Sequence, residues 1–250
     1  MMIQIRPQQV AGIPILEVVE AKQRGQALPC VIFYHGWRST KALVLTQARK
    51  LAAKGLRVIL PDALNHGERS ITAISEIPSF TFWQSIQGNL AEFSVLVNFL
   101  KTEQLLLDDQ ISVGGVSMGG ITTCALLASH PEIKKAACIM GTPQPLLYRE
   151  RVIQQATHFK RFVSSDLRPL TDWLAAYDLS RQPEKIAQRK VLFWHGTEDT
   201  KIAFRDAYEF YARHKPTTYG ANMNFIIGRE QGHLVKPVTM DSVADFFAED

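Results

Sequence analysis

Three side chains, far apart along this 250-residue chain, have the types and the order that acyl-transfer chemistry requires: Ser117, Asp199 and His233. Ser117 lies in Gly115-Val116-Ser117-Met118-Gly119. A serine hydroxyl is a weak nucleophile until a base takes its proton. The base is normally a histidine, held in its working tautomer by a carboxylate. Glycines two residues to either side let a serine sit on a tight turn at positive φ without side-chain clashes. Such a turn would lift the hydroxyl out of the sheet and set it at a helix N-terminus, where free N–H groups favour developing negative charge. The bare pattern arises by chance in about one chain in ten of this length. Its weight therefore comes from its setting and from its partners.

The setting is strand, turn, helix. Ile111-Ser112-Val113-Gly114 reads as a buried strand and Gly120 to Ala128 as a helix, the context of a nucleophile elbow. Asp199 follows the apolar run Val191 to Trp194 in His195-Gly196-Thr197-Glu198-Asp199, with Glu198 as its nearest rival. His233 follows the run Asn224 to Ile227, and Gly232 lets the chain turn its imidazole inward. An oxyanion hole needs two N–H donors aimed at one point. Met118 supplies one from the residue after the serine. Trp37, in His35-Gly36-Trp37 after the run Cys30 to Tyr34, is expected to supply the other. His195 is only four residues from Asp199 and is poorly placed to reach Ser117. His35 and His66 read as loop-ordering residues, and His130, His158 and His214 as residues of helix ends or the cap.

The elements that must hold these groups alternate. Extended runs at 3–6, 13–19, 30–34, 57–60, 111–116, 136–140, 191–194 and 224–227 are separated by helical patterns at 42–53, 83–100, 120–128, 203–214 and 238–247. The last of these carries Thr239 or Asp241 as candidate caps. Strands alternating with helices imply an α/β fold, a mostly parallel sheet covered on both faces. Residues 144–190 break the rhythm. They hold no strong strand, nine Lys/Arg against five Asp/Glu, and scattered large apolar residues. An insert this long suggests a helical cap over the site, with an extra helical layer at the sheet edge as the plainer alternative. The whole chain is expected to be one domain, 1–250.

Composition narrows the functional classes. Apolar residues make up 46%, charged residues 21%, and the formal net charge is +4. No basic block of five or more appears, so nucleic acid is not an expected partner. The three cysteines form no C-x-x-C and sit in apolar runs, so neither a metal site nor a disulfide framework is expected. No apolar run approaches the roughly 20 residues needed to span a bilayer, and residues 1–10 lack the apolar centre of a signal peptide. The expected location is cytoplasmic, with no membrane partner, as a monomer or homodimer.

Taken together, Pro29 to Gly36, Gly55 to Asp62, Gly115 to Gly120, Phe193 to Asp199 and Gly232-His233 resemble the α/β-hydrolase superfamily. Within it they are similar to small bacterial carboxylesterases near the dienelactone hydrolase and prolyl oligopeptidase-like branch. The resemblance implies an eight-stranded sheet with antiparallel early strands, a helical cap after the strand at 136–140, and ester hydrolysis without a cofactor. Two departures matter. Thr200-Lys201-Ile202-Ala203 replaces the Val-Val-Pro-like segment common after the acid. Ser117 stands where dienelactone hydrolases carry cysteine, which argues against a dienelactone substrate. The expected activity is hydrolysis of small, short-acyl-chain esters. A thioesterase or aminopeptidase-like hydrolase shares the same triad. A non-catalytic binding module built on this fold would typically have lost one of the three residues.

Overall fold

A computed structural model of the chain describes residues 2–70, 75, 77 and 79–249. Eight strands form one sheet: β1 (Ile3–Val10), β2 (Ile13–Glu20), β3 (Leu28–Tyr34), β4 (Arg57–Pro61), β5 (Leu106–Val116), β6 (Lys135–Ile139), β7 (Lys190–Gly196) and β8 (Met223–Gly228). Their spatial order is β1-β2-β4-β3-β5-β6-β7-β8. β1 and β2 pair antiparallel, as do β2 and β4, and all later pairs are parallel. The longer helices are α1 (Leu45–Ala52), α2 (Phe80–Thr102), α3 (Met118–Ser129), α4 (Pro145–His158), α7 (Phe204–His214) and α8 (Pro237–Ala248). Two single-turn helices, α5 (Leu167–Leu170) and α6 (Leu174–Tyr177), lie between α4 and β7.

Strand alternation divides the core in two. Cys30, Ile32, Tyr34, Val113, Cys138 and Phe193 face a cluster completed by α2 and α3. Val31, Phe33, Val58, Ile139, Leu192 and Trp194 face one completed by α1 and α8. Runs such as Cys-Val-Ile-Phe-Tyr are continuously apolar because both faces of these strands are covered. Each such side chain, fully buried, contributes about 1.5–3 kcal/mol from removal of apolar surface.

Two local expectations need correction. β5 begins at Leu106 and not at Ile111. Its first half is irregular: Asp108 and Asp109 are both at positive φ, and the pairing with β3 shifts register between Leu28 and Cys30. α8 is capped by neither Thr239 nor Asp241. It starts with Pro237 in its first turn, behind Lys236 and with no side-chain cap, because proline's fixed φ suits that position.

Between β6 and β7 the chain is helical: α4, α5, α6 and two 3-10 turns. Leu174, Leu179 and Ile186 anchor it in the core beside α3. Arg189 ties its end to the carbonyls of Leu127 and His130 at 2.7 and 2.8 Å, and Arg151 pairs with Asp206 on α7. Among the described residues no helix is long and apolar enough to cross a membrane, and no group of three or more His, Cys, Asp or Glu is placed to hold a metal ion.

Candidate active site

β5 ends at Val116, α3 starts at Met118, and Ser117 is the single residue between them, at φ 56°, ψ −114°. A non-glycine residue there is strained. The neighbouring glycines make the turn possible. A Cβ on Gly119 would lie 2.2 Å from the Tyr34 carbonyl oxygen, and one on Gly115 would lie 2.5 Å from the Gly119 backbone. Ser117 N–H donates to the Ile139 carbonyl at 2.8 Å, and its own carbonyl accepts from Ile121 N–H at 3.0 Å. Serine at this position often caps the helix with its side chain. Here the hydroxyl makes no cap bond and is turned toward His233.

The loops after β5, β7 and β8 bring the three predicted groups together. His233 Nε2 lies 2.8 Å from Ser117 Oγ, and His233 Nδ1 lies 2.7 Å from Asp199 Oδ2. With Nδ1–H donating to the carboxylate, Nε2 carries the lone pair that faces the hydroxyl. Burial works against the Asp199 charge. Hydrogen bonds from His195, His233 and the Ile202 N–H outweigh it and hold the carboxyl well below the usual carboxylate range. Asp199 therefore stays ionised at neutral pH. Burial pushes the Cys30 thiol up to about 12, so that thiol is no competing nucleophile.

Met118, the first residue of α3, has a backbone N–H with no intrahelical partner. Gly36 passes over the elbow: a Cβ there would sit 3.5 Å from Ser117 Cβ and from the Val116 carbonyl. Trp37 follows, its ring 4.9 Å from the His66 ring and 5.6 Å from Phe82. Both Met118 and Trp37 are thus beside Ser117 in the chain fold.

Two histidines pin the loop that holds Trp37. His35 donates from Nδ1 to the Gly36 carbonyl at 2.8 Å and accepts the Ala63 N–H at Nε2, 3.1 Å. His66 donates from Nδ1 to the Leu64 carbonyl and accepts the Arg38 N–H at Nε2, 3.0 Å. Beneath them the fully buried Asp62 accepts from the Lys41 ammonium and from the N–H groups of Lys41 and Glu68. Both rings must be neutral to accept at Nε2. Burial, with help from nearby Lys41 and His66, lowers His35 to about 4 from 6.5. The unfolded chain therefore binds this proton first as pH falls, and stability present above 6.5 is lost as pH drops toward 4. From pH 7 to pH 5 the loss from His35 is about 2 kcal/mol. Urea-unfolding free energies at the two pH values should differ by at least that much, and the difference should shrink in a His35→Gln variant. An unchanged difference would contradict the role given to His35.

Sequence reasoning missed several residues. His195, buried, places Nε2 3.1 Å from Asp199 Oδ2 and 2.8 Å from the Ile202 carbonyl. It does not reach Ser117; it steadies the carboxylate that faces His233. Spacing alone does not reveal this, because the loop from Gly196 to Ile202 folds back on the strand end. Glu198, the rival acid, is exposed. Ser117 and His233 open into a cavity of about 750 Å³. Trp37, Phe82, Met140, Tyr148 and Val152 supply apolar and aromatic lining. Tyr148 and Val152 come from α4, so the helical segment after β6 forms part of the wall. Burial, then the charge of Asp199, pushes the Tyr148 hydroxyl up to about 12, which keeps it a hydrogen-bond donor.

Residues 29–171, more than half of the chain, match the family described as alpha/beta hydrolase fold. The chain is 39% identical over 216 residues to the candidate esterase YitV of Bacillus subtilis (strain 168), covering 84% of each. It is 33% identical over 260 residues to the esterase YjfP of Escherichia coli (strain K12), covering 99% of each. Among solved structures it is similar to TT1662 of Thermus thermophilus, with a TM-score of 0.81 at 16% identity and all of both chains covered.

Proposed function

This chain belongs to the α/β-hydrolase family, and from that premise we propose that it is a serine carboxylesterase acting on small, short-acyl-chain esters. One observation carries the reading: the unbroken path Ser117 Oγ, His233, Asp199, with steps of 2.8 and 2.7 Å. It lies at the wall of a cavity large enough for a small ester.

Ser117 Oγ attacks the ester carbonyl while His233 Nε2 takes its proton. The imidazolium that forms is stabilised by the Asp199 carboxylate, which also fixes the ring's orientation. The backbone N–H groups of Met118 and Trp37 receive the charge that gathers on the carbonyl oxygen, the α3 N-terminus adding its partial positive charge. His233 returns the proton to the departing alcohol. Water then attacks the acyl carbonyl while His233 takes its proton; the Ser117 ester bond breaks, His233 returns the proton to Ser117 Oγ, and the carboxylic acid leaves. No cofactor enters the cycle. The helical segment 144–190 acts as a cap whose α4 face sets the shape of the site, and residues 1–250 work as one domain.

The same triad serves ester, thioester and aminoacyl-anilide cleavage, so leaving-group preference is the discriminating measurement. With acetyl and butyryl groups on matched alcohol, thiol and anilide leaving groups, kcat/KM is expected to be highest for the oxygen esters. A clear preference for thioester or anilide would replace carboxylesterase by the corresponding hydrolase.

A further inference from the structure

The charges on the cavity wall bear on what enters it. Arg38, Arg161 and Lys201 line the same cavity as Ser117 and His233. They come from three unrelated segments: the loop after β3, the stretch after α4, and the loop after Asp199. Among the described lining residues there is no aspartate or glutamate. The nearby Asp199 is engaged by His195, His233 and backbone N–H groups. Four other cations of the helical segment are committed elsewhere: Arg149 to Glu150, Arg151 to Asp206, Arg168 to Glu150 and Arg189 to main-chain carbonyls. The side chains of Arg38, Arg161 and Lys201 have no carboxylate partner among the described residues. Arg38 is also fixed at its backbone, with φ 57° and its N–H held by His66, so its side chain springs from a pinned point of the rim.

We propose that the preferred substrates are anionic esters, in which the acyl or the alkoxy arm ends in a carboxylate or similar group held by Arg38, Arg161 and Lys201 while the carbonyl lies over Ser117. Three like charges around one concave surface raise the local concentration of an anion and steer its approach. Arginine adds paired N–H donors that match a carboxylate. All three cations are exposed, and an entering anion supplies a countercharge that no described carboxylate gives them. The inference rests on the esterase reading above.

Two substrate pairs test it and show which arm carries the charge: monomethyl adipate against methyl hexanoate, and 3-acetoxypropanoate against propyl acetate, followed by pH-stat titration. At low ionic strength, on the order of 0.02 M, kcat/KM for the anion is expected to exceed that for its neutral match about tenfold or more in at least one pair. The ratio should fall toward one in roughly 0.5 M salt, where screening acts over a few ångströms. Arg161→Gln and Lys201→Gln should each lower the ratio about threefold or more, and the double variant should bring it near one. Ratios at or below one in both pairs, or a ratio indifferent to salt and to both substitutions, would overturn the proposal. Neutral esters hydrolysed by the wild type and not by Ser117→Ala, with a ratio of one, would leave the esterase reading standing and remove only the anionic preference. Failure to hydrolyse any of the four would remove both.

Discussion

Ser117→Ala is expected to lower kcat for p-nitrophenyl acetate by at least about three orders of magnitude, leaving only what the oxyanion donors and binding supply. The fold should survive, because the Ser117 hydroxyl makes no cap bond and its backbone contacts, to Ile139 and Ile121, are kept by alanine. The melting temperature should therefore stay close to that of the wild type. In the proposed mechanism the three residues of the triad act as a unit. His233→Ala should cost a comparable amount, and the double variant Ser117→Ala/His233→Ala should be little worse than either single one. Additive losses would mean that the 2.8 Å contact between the two side chains is not used in the reaction. Steady-state kinetics on folded, purified variants decides the point.

Gly119→Ala is expected to damage the protein itself. The added methyl would lie 2.2 Å from the Tyr34 carbonyl oxygen, 2.6 Å from its carbon and 2.9 Å from the His35 carbonyl oxygen. All three are main-chain atoms, on the strand and loop that hold Gly36 and Trp37, so no rotamer change relieves the clash. Backbone displacement of this kind costs about 3 kcal/mol or more, which in a domain of this size lowers Tm by roughly 6–12 °C. Set against a typical total stability of about 5–15 kcal/mol, that removes a fifth or more of the margin. Gly25→Ala is the control: a Cβ there meets nothing within 4 Å, and its effect should stay within about 0.5 kcal/mol. Equal melting temperatures for the two variants would show that the turn around Ser117 is looser than described.

Much of this geometry is legible in the chain. The elbow was readable because close backbone approach forces glycine at 115 and 119, and few other arrangements demand both. The order Ser117, Asp199, His233 was readable because parallel strands return each following loop to the same sheet edge. What is not legible depends on contacts between segments. His195 sits at a strand end, and only the return of the loop through Ile202 sets it against Asp199. α5 and α6 are single turns, too short to hold by propensity, and their buried Leu167 and Leu174 fix them in place. The nine basic residues of 144–190 read alike in the sequence; only their folded positions separate Arg161, on the cavity wall, from Arg151 and Arg189, which are bound to the body of the protein. Asp108 and Asp109 both adopt positive φ, yet the sheet accommodates them as an irregular extension of β5.

The central claim is that Ser117 is the nucleophile, and covalent labelling tests it most directly. Folded protein treated with a fluorophosphonate at neutral pH, digested and sequenced by mass spectrometry, is expected to carry one adduct, on the Ser117 hydroxyl. The adduct should be absent after prior unfolding and absent from His233→Ala. An adduct on a different residue, or no adduct on folded wild-type protein that hydrolyses p-nitrophenyl acetate, would contradict the account.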